Sequence, residues 1–236
     1  MSRLRGKLAD PLLSVVMPVY NEAATVEEMI RRVVAVPLRT QLIVVDDCST
    51  DGSRDILAGL QRELGFTLLL QPENRGKGAA LRTGFGSVRG DLVVIQDADL
   101  EYSPEEFPIL IELICEGRAD VVYGSRFLGR HRVFLFTHYL GNRLLTFLTN
   151  LLYNTMLSDM ETCYKVMRTD VLRSMTLRSN GFGIEPELTA KIFKRGYRVY
   201  EIPITYDGRG YEEGKKIGWR DGVVALWVLV RYRFSE

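Results

Sequence analysis

A chain of 236 residues and 26.9 kDa has material for one hydrophobic core and little for two. With 46% apolar and 26% charged residues it falls outside the disordered, collagen-like and low-complexity classes. Its 31 Lys plus Arg against 30 Asp plus Glu leave a net charge of +1, which gives no case for a nucleic-acid partner.

Three scattered cysteines (Cys48, Cys115, Cys163) without a C-x-x-C pair fit a reduced cytoplasmic chain rather than a disulfide scaffold or zinc site. No run reaches the roughly 18 apolar residues of a membrane span, and residues 1–10 lack the apolar core of a secretion signal. The expectation is a chain that neither spans nor leaves, with a bilayer surface still open as a partner.

In chain order, residues 13–17 read as a buried strand and 25–36 as a helix with Val26, Met29, Ile30 and Val33 on one face. Strands are expected at 42–45, 66–70, 92–95 and 120–123, and helices at 53–64, 78–87 and 104–115. Continuous apolar strands separated by helices predict an α/β fold with a parallel sheet covered on both faces. Ligands in such sheets bind beyond the strands' carboxyl ends, here residues 18–22, 46–51, 71–78 and 96–101.

The second half differs. From Val121 to Ser158 there is no acidic residue, while Arg126, Arg130, Arg132, Arg143 and both histidines (His131, His138) fall within it. Leu140, Leu144, Leu148, Leu151 and Leu152 share one helical face, predicting an amphipathic helix over 140–152. A last apolar segment, 223–230, is flanked by Arg220, Arg231 and Arg233 and reads either as a second interfacial helix or as a dimer face. No linker separates two units, so one domain over 1–236 is expected, with halves at about 12–120 and 121–236.

Several chemistries lose ground. Pro18-Val-Tyr-Asn-Glu22 after the first strand holds no G-x-G-x-x-G, Arg75-Gly-Lys-Gly78 is not a complete P-loop, and no serine elbow or zinc motif occurs. What remains is acidic. Asp97 and Asp99 alternate along extended backbone after strand 92–95, so both carboxylates can reach one crevice, with Glu101 as a third oxygen donor. Hard oxygens of this kind suit Mg²⁺ or Mn²⁺ shared with substrate phosphates. Asp46 and Asp47 end strand 42–45, where a carboxylate can accept from a nucleobase N–H or a ribose hydroxyl, whereas Asp51 and Ser53 read as helix caps. Tyr20 offers a face for stacking.

Taken together, Val15-Val-Met-Pro-Val-Tyr-Asn-Glu22, Val44-Val-Asp-Asp-Cys-Ser-Thr-Asp-Gly52, Asn74-Arg-Gly-Lys-Gly78 and Asp97-Ala-Asp-Leu-Glu101 resemble the nucleotide-sugar glycosyltransferases of family two. Tyr123-Gly-Ser-Arg126, Asp159-Met-Glu-Thr-Cys-Tyr-Lys165 and Tyr206-Asp-Gly-Arg-Gly-Tyr-Glu-Glu-Gly-Lys215 look like its polyprenyl-phosphate, dolichol-phosphate mannosyltransferase-like branch. The resemblance runs over about residues 12–233 and implies a GT-A type, Rossmann-like, mostly parallel sheet with C-terminal amphipathic interfacial helices.

The resemblance further implies that Pro18, Tyr20, Glu22, Val45 and Asp47 hold the nucleoside and that Asp97, Asp99 and Glu101 hold the metal, with Ala98 beside the diphosphate. Arg126, Arg209 and Lys215 would engage the donor diphosphate or the acceptor phosphate. The implied reaction is an inverting, metal-dependent sugar transfer from GDP-mannose or a UDP-hexose to a polyprenyl or dolichyl monophosphate, at the cytoplasmic face of a membrane. Two alternatives stay open: a glycan hydroxyl as acceptor, and a nucleotidyltransferase making nucleotide sugars. Asp159 and Glu161 are open between proton transfer and orientation of Arg126 or of the helix.

Overall fold

The computed structural model describes residues 6–132, 135–208 and 218–235, and builds them around a seven-stranded sheet in the order β3-β2-β1-β4-β6-β5-β7. The first half supplies β1 (Leu13–Val19), α1 (Val26–Ala35), β2 (Thr40–Asp46), α2 (Ser53–Leu64), β3 (Thr67–Leu70), α3 (Lys77–Phe85) and β4 (Leu92–Ile95). A 3-10 turn (Pro104–Glu106) then leads into α4 (Phe107–Cys115) and β5 (Val121–Ser125). β1 pairs in parallel with β2 and β4, and every residue from Leu13 to Met17 is fully buried. A strand covered on both faces has no wet face to alternate with, so it reads as an unbroken apolar run.

The second half supplies α5 (Phe136–Tyr153), β6 (Lys165–Arg168), α6 (Thr169–Arg173), α7 (Ile184–Lys194), β7 (Val199–Pro203) and α8 (Trp219–Phe234). β6 is the one reversed strand among those described. It runs antiparallel between β4 and β5, with Lys165 opposite Tyr123 near the carboxyl end of β5. That reversal decides the site, because residues 159–163, which lead into β6, then lie above the carboxyl ends of the parallel strands.

The sequence reading had no element at β6, α6, α7 or β7. β6 is four residues with a charge at each end, and α7 is buried on every side, including Glu185, Glu187 and Lys191, so it shows no amphipathic stripe.

α5 forms where the leucine spacing predicts it, with Leu140, Leu144 and Leu151 exposed and Leu145 and Leu152 packed partly buried against the core. Its buried residues are Thr146 and Thr149, while Phe147 is 62% and Leu151 70% exposed. On α8, Trp227 and Phe234 are exposed and Ala225, Val228, Leu229 and Tyr232 face inward.

Residues 179–181 close over the start of α3. A Cβ at Gly78 would fall 2.5 Å from the Ser179 carbonyl oxygen, and one at Gly76 would fall 2.7 Å from that of Asn180. Both obstacles are backbone, which cannot swing aside. In an open helix Gly→Ala gains about 1 kcal/mol. Here Gly78→Ala is expected to lower stability by about 1–3 kcal/mol through overpacking, read from the urea midpoint.

Candidate functional site

The carboxyl ends of β1, β2 and β4, the loop into α3, the segment before β6 and the facing sides of α5 and α8 enclose a cavity of about 1050 Å³. Pro18, Tyr20, Glu22, Asp47, Asp97, Ala98, Asp99, Glu101 and Arg126 all line it. Val45 does not. Its side chain is fully buried under α3, where a Cβ on Gly84 would lie 3.1 Å from a Val45 methyl, so the nucleoside contact expected of it has no side-chain route. Arg209 and Lys215 lie outside the described residues.

Each acid of the strand ends is stabilised differently. Asp46 is fully buried, takes Arg54 Nε at 2.5 Å and accepts from the Cys48 and Ser49 amides, a structural assignment rather than a ligand-facing one. Asp51 accepts from the Ala23 and Ser53 amides and the Ser53 hydroxyl, as a turn-capping residue does. Asp47 accepts from Gln71 Nε2 and the Arg75 amide, both at 2.9 Å, and from the Gly76 amide at 2.7 Å. A carboxylate offers about four lone-pair positions, so one on Asp47 is left for an incoming donor.

The three carboxylates expected to hold a metal are not assembled as one ligand set. Asp97 binds Lys77 Nζ through both oxygens, at 2.8 and 2.9 Å. Glu101 accepts the Tyr206 hydroxyl at 2.7 Å, and Asp99 Oδ1 accepts the Glu101 amide at 3.2 Å. Among the described residues no three His, Cys, Asp or Glu side chains converge on a metal position. The donor chemistry of Asp97 and Asp99 still fits Mg²⁺ or Mn²⁺. These ions are held by one or two carboxylates and complete their shell with water and substrate phosphate rather than with an all-protein cage.

Arg126 is gripped by Asp159, with Nε to Oδ2 and Nη2 to Oδ1 both at 2.7 Å, and its amide adds a third bond at 3.1 Å. Burial works against the guanidinium charge, but Asp159 outweighs it and holds Arg126 above the ordinary arginine range. Its plane also sits 5.2 Å from the Tyr206 ring centroid. With both carboxylate oxygens occupied by Arg126, Asp159 orients that arginine and is poorly placed to take a proton.

Glu161 lines the same cavity, and its buried Oε1 has no hydrogen-bond partner. Burial pushes its carboxyl up to about 7, against the pull of Lys165. Lys165 itself binds Glu185 Oε2 at 2.6 Å, and Glu185 Oε1 lies 3.5 Å from Lys77.

Sequence reasoning singled out neither Lys77 nor Glu185 as a site residue. Lys77 was visible inside Asn74-Arg-Gly-Lys-Gly78, whereas Glu185 carries no local signal and reaches the cavity only through the placement of α7. His138 also lines the cavity from α5.

Acidic side chains at the carboxyl edge of a mostly parallel sheet, with one reversed strand delivering further polar groups from above, define the GT-A type of α/β fold. A solved structure bears this out. Glucosyl-3-phosphoglycerate synthase from Mycobacterium tuberculosis, crystallised with Mn²⁺, uridine-diphosphate and phosphoglyceric acid, matches with a TM-score of 0.76 at 22% identity, over 96% of this chain and 80% of that one. The chain matches the Glycosyl transferase family 2 model over residues 14–176 and belongs to that family.

The low-salt glycan biosynthesis hexosyltransferase Agl6 of Haloferax volcanii is 33% identical over 95% of this chain and 55% of its own length. An undecaprenyl-phosphate 4-deoxy-4-formamido-L-arabinose transferase of Edwardsiella ictaluri is 31% identical over 86% of this chain and 62% of its own. The chain thus spans somewhat over half the length of these curated relatives.

The raised Glu161 carboxyl makes a stability prediction. The folded state keeps a proton that the unfolded chain releases, so this contribution is present below the ordinary value of 4.5 and is lost as pH rises through about 7. The melting temperature of Glu161→Gln should therefore gain on the wild type between pH 5 and pH 8, and parallel curves would show that Glu161 ionises normally.

Proposed function

We propose that the protein transfers a hexose from a nucleotide sugar to a polyprenyl monophosphate, with inversion at the anomeric carbon. One observation carries this reading. A single cavity joins Asp97, Asp99 and Arg126 to an apolar wall of Leu144, Leu145 and Leu148 from α5 and Leu226 from α8. A diphosphate-sugar suits the first end and an isoprenoid the second. The curated relatives add support, since one of them is named for undecaprenyl phosphate.

In this reading Pro18, Tyr20 and Glu22 border the nucleoside, and Asp47 offers its remaining acceptor position to a base N–H. That hydrogen bond suits uracil and guanine alike, so both UDP-hexoses and GDP-mannose are consistent with it. Asp97 and Asp99 hold a divalent cation, which supplies charge neutralisation to the departing diphosphate. Arg126, held rigid by Asp159, presents its remaining N–H groups to a phosphate, the arrangement suited to anion recognition.

No general base is required. A phosphate monoester, with a second pKa of about 6, is already largely dianionic near neutrality. This agrees with the occupied oxygens of Asp159.

No described helix is long and apolar enough to cross a membrane. The exposed faces of α5 and α8, flanked by Arg143, Arg220, Arg231 and Arg233, instead suit the plane of a bilayer with anionic headgroups on the cytoplasmic side.

Labelled donor and purified protein should glycosylate a polyprenyl monophosphate in the presence of Mg²⁺ or Mn²⁺, and leave the dephosphorylated alcohol untouched. Equal use of the alcohol would overturn the acceptor assignment. Asp99→Ala should lower turnover by roughly two to three orders of magnitude, the scale of losing one transition-state charge stabiliser. Flotation on anionic liposomes should occur, weaken with salt, and fall further in Leu151→Glu, whose wild-type side chain is 70% exposed and so bears little on folding. No flotation of the wild type would remove the membrane role.

A further inference from the structure

Four charged side chains form a connected group at the back of the cavity: Asp97, Lys77, Glu185 and Lys165. Two are acids and two are bases. Lys165 fixes Glu185 by one oxygen, at 2.6 Å, and is itself tied to the Thr162 carbonyl. The other Glu185 oxygen, Oε1, is buried, makes no hydrogen bond and faces Lys77 Nζ at 3.5 Å. That is an ion-pair distance but too long for a hydrogen bond. Lys77 meanwhile spends its contacts on both oxygens of Asp97.

A divalent cation on Asp97 must compete with this ammonium, since the two cations would share one carboxylate. Lys77 cannot retreat with its backbone, because the flanking Gly76 and Gly78 are pressed against residues 179–181. Only its side chain can move. A displaced, buried ammonium without a partner is costly, and Glu185 Oε1 is the acceptor already beside it, a shift of under about 1 Å from hydrogen-bonding range.

We propose that Glu185 is a positioning residue that receives Lys77 when a divalent cation takes Asp97, so that it sets metal affinity by acting through Lys77. The proposal rests on the reading above that Asp97 and Asp99 hold the metal. Its direction is supported by geometry: the unpartnered Glu185 Oε1 is the acceptor that already faces Lys77 Nζ.

The test is Mn²⁺ affinity by electron paramagnetic resonance, with Mn²⁺ alone and with Mn²⁺ plus UDP or GDP. Glu185→Gln should weaken Mn²⁺ binding roughly tenfold or more, the usual scale for losing a group that supports a metal ligand. Lys77→Met removes the competitor and should bind Mn²⁺ at least as tightly as wild type. In the Lys77→Met background, Glu185→Gln should cost nothing further. If it weakens binding equally in both backgrounds, Glu185 acts as a through-space charge and the proposal fails. No effect of Glu185→Gln in the otherwise wild-type chain also overturns it.

Should Glu185→Gln not fold, Glu185→Asp keeps a charge partner for Lys165 while withdrawing from Lys77, and the same weakening is expected; unchanged affinity would again be fatal. A wild type that binds no Mn²⁺ under either condition sinks the metal assignment itself and the proposal with it. This outcome is distinct from a wild type that binds and variants that do not differ.

Discussion

A crowd of carboxylates at one end of an apolar sheet is the constraint on which the rest of this molecule depends. Each must find a cation, a set of hydrogen-bond donors or a proton, because an unpaired buried charge costs several kcal/mol. Asp46 takes Arg54, Asp47 takes two backbone amides and Gln71, Asp97 takes Lys77, Asp159 takes Arg126 and Glu185 takes Lys165. Glu161 finds no partner for Oε1, and its carboxyl rises to about 7. The solution each acid adopts decides what it can do. A carboxylate locked in a bidentate grip positions its arginine. One that leans on a displaceable lysine can exchange partners. One that holds a proton near neutrality adds no further negative charge beside a phosphate.

This division of labour bears on which acceptor the site suits. Attack by a sugar hydroxyl calls for a base that is ionised, unpaired and within reach of the proton. Asp159 has both oxygens occupied by Arg126, which leaves Glu161, its carboxyl raised to about 7, as the one of the two with an unpartnered oxygen. A phosphate oxyanion needs neither. It needs cations to draw it past Asp97 and Asp99, and the acid-free stretch from Val121 to Ser158 places Arg126 at the cavity.

Much of the sheet was legible in the sequence because fully covered parallel strands announce themselves as apolar runs. α2 at 53–64 and β4 at 92–95 fall where the pattern puts them. The strand-end rule then located Asp47, Asp97 and Asp99 at the cavity before any coordinates. The reversed β6 stayed hidden because Lys-Val-Met-Arg is too short and too charged to show a period. Since β6 alone brings 159–163 over the strand ends, the grip of Asp159 on Arg126 could be named as an alternative but not decided. Glu185 was invisible for a different reason. It sits on a helix whose residues 184–192 are all buried, and its partner Lys165 lies 20 residues away, a pairing that leaves no trace in local spacing.

The orientation of α5 follows from the same physics, run in reverse. Leu145, Leu152 and Tyr153 pack partly buried against the core, and a set of polar bonds adds to that attachment. The Thr146 hydroxyl accepts the Met160 amide, Asn150 bonds both the amide and the carbonyl of Leu157, and the Tyr153 hydroxyl donates to the Leu229 carbonyl of α8. α8 is tied in turn to α7, where Lys191 lies 4.2 Å from the Tyr232 ring centroid, and Glu187 on that helix binds the amides of Arg178 and Ser179. Those residues lead directly into the segment that packs on Gly76 and Gly78 around Lys77. The apolar wall of the cavity and its charged floor are therefore parts of one braced unit. Leu140 and Leu151 stay outside that brace, 56% and 70% exposed.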